Sequence, residues 1–103
     1  MRVTFTKICL LLFLIVTFTE AGVAKGKLLF DKKLRAGCEM SAGEMSRKHT
    51  QEEWKILYKK NLLSAEISRI CPDVKPIKKK KQLKNLYQLF RTFAKDSKNI
   101  PSD

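Results

Sequence analysis

"KKQLKNLYQLFRTFAKDSKN", residues 80–99, decides the fold class. Leu83, Leu86, Tyr87, Phe90, Phe93 and Ala94 recur at i, i+3, i+4 and i+7, the spacing that lines one side of a 3.6-residue helix. Lys84, Asn85, Gln88, Arg91 and Lys95 take the other side. An aromatic stripe can wall a cofactor, but burial against a core is the commoner reason for one, and it is read here as core.

Working outward, three further stretches read as helices. In "HTQEEWKILYKK" (49–60), Thr50 can cap, Glu53 three residues on completes a capping box, and Trp54, Leu57 and Tyr58 share a face. "SAEISRICP" (64–72) predicts a short helix with Ser64 as cap, Ile67 and Ile70 inward, and Pro72 barring continuation. "KGKLLFDKKLRAG" (25–37) places Leu28, Leu29, Phe30 and Leu34 on an apolar side and Gly37 as a stop. No alternating strand pattern, internal repeat or Gly/Ser linker interrupts the series. The expectation is an all-α domain of three to four helices.

At the other end, Arg2 and Lys7 precede the apolar run Ile8–Val16 (ICLLLFLIV), which leads into small residues at Ala21, Gly22 and Ala24. This is the pattern of a secretory signal peptide. The apolar core is well short of the ~20 residues a membrane-spanning helix needs, so no transmembrane span is expected. Taking residues 1–24 as the signal leaves residues 25–103 as one small domain, with cleavage after Ala21 as a close competitor. Arg2, Lys7 and Glu20 leave with the signal, so the formal charge falls from +12 to +11. A destination outside the cytoplasm, periplasmic or extracellular, follows.

Cys9 departs with the signal and leaves two cysteines, Cys38 and Cys71. An oxidising compartment favours their pairing, and a domain this small is marginal without an added constraint. Closing the 32 intervening residues stabilises by roughly 3–4 kcal/mol on the loop-entropy estimate.

"KGKLLFDKK", "HTQEEWKILYKKNL" and "LKNLYQLFRTFAKDSKNIP" together resemble the three-helix layout of small class I cytochrome c domains. The resemblance implies an N-terminal helix crossed by the C-terminal one, and a haem-attachment CxxCH between the first and middle helices. At the matching place this chain has Cys38-Glu39-Met40-Ser41-Ala42, with one thiol and no imidazole, so covalent attachment of the usual kind is ruled out. The segment reads as a converted haem site in which a Cys38–Cys71 bridge replaces the haem as the link across the core. The alternative is an electron-transfer protein holding haem noncovalently or through one thioether. Its candidates are Cys38, His49, Met40 and Met45, although His49 reads better as a residue flanking a helix N-terminus and the methionines as core filler.

No catalytic constellation is present, and the chain is not expected to be an enzyme. Glu52 and Glu53 are adjacent and splay apart on a helix, and one histidine with two distant cysteines lacks metal-ligand spacing. The remaining feature is the basic run Lys78, Lys79, Lys80 and Lys81, extended by Lys75 and Lys84. Lysines at a helix N-terminus oppose its macrodipole, and an acidic protein partner or an anionic envelope surface would offset that. Export and the lack of interleaved aromatics argue against nucleic acid. The expected function is an exported, haem-free accessory module that docks an acidic partner, with a secreted membrane-active cationic protein as a further alternative.

Overall fold

A computed structural model describes residues 21–99. The apolar run Ile8–Val16 expected to be a signal-peptide core, with Cys9 in it, lies outside the described residues. Within them the chain is helical and contains no strand. Helix α1 covers 21–33; α2 is Arg35–Cys38, α3 Ala42–Ser46, α4 Gln51–Lys59, α5 Leu63–Ile70 and α6 Lys80–Thr92. The all-α expectation holds, with more and shorter helices than the periodicity announced.

Helix α6 is the axis of the packing. Leu86, Leu89 and Phe90 are fully buried on it, and both α3 and α4 lie against it. Phe90 meets Phe30 of α1 edge-on, with ring centroids 6.3 Å apart, and Trp54 of α4 at 4.7 Å. Each large side chain removed from water in this way contributes about 1.5–3 kcal/mol. Gly26 makes the approach of α1 possible: a Cβ there would lie 2.3 Å from the Asn85 carbonyl oxygen and 3.0 Å from Leu89 Cβ. Phe30 and Leu34, four and eight residues on, are fully buried on the same side, whereas Leu28 points away and is 71% exposed. The apolar side expected for this helix is therefore narrower by Leu28, which stands about 200° round the helix from Gly26.

Two ends are corrected. Gly37 does not stop the first helical segment but lies inside α2, and the left-handed residue that ends it is Glu39, at φ 55°. What Gly37 supplies is room, since a Cβ there would come within 2.4 Å of Val74 Cγ1. Ser64 does not cap α5, which begins one residue earlier behind Leu62 with no side-chain cap. By contrast, the capping box on α4 is complete: Thr50 Oγ1 accepts from Glu53 N, and Glu53 Oε1 accepts from Thr50 N.

Cys38 and Cys71 are joined, with alpha carbons 4.9 Å apart, at the C-terminal ends of α2 and α5. Between them α3 was not anticipated. Ser41 Oγ accepts from Glu44 N, and Ala42, Met45 and Ser46 are buried. Ser46 is satisfied in its buried position by donating to the Ala42 carbonyl, and Trp54 Nε1 donates to the carbonyl of Ser46. No helix among the described residues is long and apolar enough to cross a membrane.

Candidate docking surface

Consecutive residues of a helix point about 100° apart, so the lysines entering α6 spread round its axis. Lys78 and Lys79 line an open groove of about 500 Å³ with Lys33, Lys75, Gly37 and Val74; Asp73 is its one acidic residue. Lys80 lines a second groove, about 300 Å³, formed by Tyr58, Lys59, Asn61, Leu63 and Leu83. Lys81 and Lys84 line a third, about 240 Å³, with Lys25, Asn85 and Gln88. All six lysines of the basic run are exposed. The structure thus distributes them over three grooves round the N-terminal half of α6 and adds Lys25, Lys33 and Lys59 from α1 and α4.

The electrostatics of the α6 N-terminus are one-sided. The first turn of α6 contains no acidic residue, and Lys79 at its N-cap offers no side-chain acceptor to the helix N–H groups. Positive side chains and the positive end of the macrodipole therefore coincide. A carboxylate docked here would meet both at once. The first groove has Val74 and the buried Ile77 in its lining, and the second also has an apolar floor. Leu63 is buried, and Tyr58 lies parallel to Tyr87 at 4.3 Å. This aromatic pair beside the lysines was not legible from the residues alone, because the two rings come from helices far apart in the chain.

The remaining charged constellation lies round His49, which sits just before the Thr50 N-cap as expected. Its Nε2 contacts Glu66 Oε2, and its Nδ1 is 3.7 Å from Glu53 Oε1. Arg69 grips both oxygens of Glu66, at 2.7 Å each. The hydrogen bond from Arg69 holds the Glu66 carboxyl down at about 2, against the opposing effect of its burial and with help from His49. Glu53 is also lowered, first by its hydrogen bond from the Thr50 amide. The imidazole stands edge-on to Trp54, centroids 4.7 Å apart. This cluster ties the α3–α4 turn to α5, and its groups face one another.

The haem alternative named Cys38, His49, Met40 and Met45. The Cys38 sulfur is bonded to Cys71, both nitrogens of His49 face carboxylates, Met45 is fully buried in the core, and Met40 packs half-buried against it. A thioether needs a free thiol and an axial ligand needs a nitrogen lone pair aimed at iron. Placed in this way, the four donors do not fit a haem. Among the described residues, no three of His, Cys, Asp and Glu gather as metal ligands. Comparison with protein families, with characterised proteins and with solved structures finds no match to this chain.

Proposed function

We propose that the protein is an exported, haem-free module of cytochrome c-like layout that docks an acidic protein partner through the lysines round the N-terminus of α6. The observation that carries this reading is that Lys33, Lys75, Lys78, Lys79, Lys80, Lys81 and Lys84 all line grooves built in part by the segment entering α6 and its N-terminal half, on a helix whose N-terminus has no side-chain cap. A run of lysines on a linker would dissolve equally well without such grooves. The layout reading leans on α1 packing across α6 through Gly26, Phe30 and Phe90, and on the bridge at Cys38, where haem attachment would otherwise stand. The disulfide also fits a life in an oxidising compartment.

The test separates a local surface from net charge. Binding to poly-L-glutamate is measured across a salt series for the native protein, for Lys78, Lys79, Lys80 and Lys81→Gln together, and for a control with Lys48, Lys55, Lys95 and Lys98→Gln. Both variants lose four charges. A local docking surface weakens and flattens in salt dependence far more in the first than in the second. Equal losses would show attraction by overall charge and refute the surface. Leakage of phosphatidylglycerol vesicles at low salt, abolished at high salt, would instead support the membrane-active alternative.

A further inference from the structure

We infer that the chain is cut between Ala21 and Gly22, so that Gly22 becomes the first residue of the exported protein. The inference rests on the export reading above, and it decides between the two cleavage points that the sequence leaves open. Hydrolysis there adds water across the amide: the Ala21 carbonyl carbon takes the hydroxyl while the C–N bond breaks, the Gly22 nitrogen takes water's other hydrogen, and the proton that the new carboxylic acid sheds completes the nitrogen's conversion to an ammonium.

The structure distinguishes the two bonds. Residues 22–24 belong to α1 and take part in its packing: Gly22 is buried, and Val23 lies against the hydrophobic core. Cleavage after Ala24 would discard both. Gly22 also stands one turn before Gly26, so the two glycines meet α6 in succession, Gly26 at Asn85 and Gly22 at Gln88.

The second observation concerns Gln88. Its Oε1 is buried and accepts no hydrogen bond, and an acceptor stranded in this way is costly. A Cβ built on Gly22 would lie 1.5 Å from that oxygen. Standard bond lengths then put the Gly22 nitrogen within about 4 Å of it. Cutting the Ala21–Gly22 bond converts that nitrogen from an amide with one N–H of fixed direction into an ammonium with three donors that can rotate, which puts a charged donor in the neighbourhood of the stranded carbonyl. Cutting after Ala24 supplies none. Both bonds have small residues in the two recognition positions, Thr19 and Ala21 for the one and Gly22 and Ala24 for the other, so the choice between them rests on the packing of Gly22 and Val23 and on Gln88.

The experiment is the intact mass of the full chain after export from a bacterial host. A mass beginning at Gly22 is expected. A mass beginning at Lys25 overturns the inference and leaves export standing, whereas a product retaining residues 1–20 overturns the export reading itself. The reason for the choice is tested on two proteins released from fusions with Gly22 or Lys25 as first residue. The longer form should melt higher by about 5 °C, and Gln88→Leu should narrow the difference. Equal melting of the two forms would refute the role given to Gly22, Val23 and Gln88.

Discussion

The two ends of α6 are built on opposite rules. Its second half carries Leu86, Leu89 and Phe90, all fully buried, with Phe30, Trp54 and Met45 in the same core. Its first turn carries Lys80 and Lys81 behind Lys78 and Lys79, all exposed and with no acidic side chain among them. One helix thus holds the fold with one end and presents charge with the other. On the docking proposed above, substitutions at the charged end should alter recognition while leaving the core intact, and those at the packed end should do the reverse.

The largest expected effect falls on the packed end. Phe90→Ala removes a ring that touches both Phe30 and Trp54 and should cost about 3–5 kcal/mol in urea unfolding. A cost under ~1 kcal/mol would mean that α6 is not the axis of the core. Next is the bridge: Cys38→Ser should cost about 2–5 kcal/mol, and thiol titration of the unfolded, unreduced native protein should find no free thiol. Gly26→Ala follows at about 1–3 kcal/mol, because the methyl meets the Asn85 backbone carbonyl and not a side chain that could move aside. A neutral result there would show that α1 can ride further from α6.

A smaller effect depends on acid. Glu66 is held at about 2 in the folded protein against an ordinary value near 4.5, so its contribution is complete above about pH 4.5 and is lost as pH falls through about 2. Arg69 is 67% exposed and solvent screens the pair, so the contribution is on the order of 1–2 kcal/mol. The stability gap between the native protein and Glu66→Gln should be constant above pH 5 and shrink below pH 4 in urea titrations. A gap that persists at pH 2 would place the role of Glu66 in packing. The smallest effect belongs to the charged end, where Lys78, Lys79, Lys80 and Lys81→Gln together should leave the melting temperature unchanged or slightly raised, since cations there oppose the macrodipole. A large loss would erase the contrast between the ends.

What could be read without coordinates follows from how local each signal is. The Thr50–Glu53 box and the Pro72 stop depend on near neighbours, and each is where the sequence put it. The stripe on α6 holds for Leu83, Leu86, Tyr87 and Phe90, whereas Leu89, left out of it, is fully buried, and Phe93 and Ala94 lie past the helix end at Thr92. The Cys38–Cys71 bond was legible for another reason: with Cys9 assigned to the signal, only one pairing was left. Helix α3 was missed because Gly43 and its short length hide any periodicity, although Ser41 followed by Glu44 was a capping signal open to view. The site was legible by halves. The lysine run is contiguous, but Lys25, Lys33, Lys59 and Tyr58 reach it only through the tertiary fold. Likewise, nothing near His49 announces Glu66, seventeen residues on.

The bridge also sets how the molecule would respond to being pulled. It closes a ring from Cys38 to Cys71, 33 positions apart, that contains α3, α4 and α5, while α1 and α6 hang outside it on either side. Tension applied at the two termini bears on the seam between α1 and α6 and never on the backbone inside the ring. Once that seam parts, the oxidised chain should stretch to a length about 110 Å short of the reduced one, so a reducing agent would add a second, separate lengthening step to a single-molecule trace.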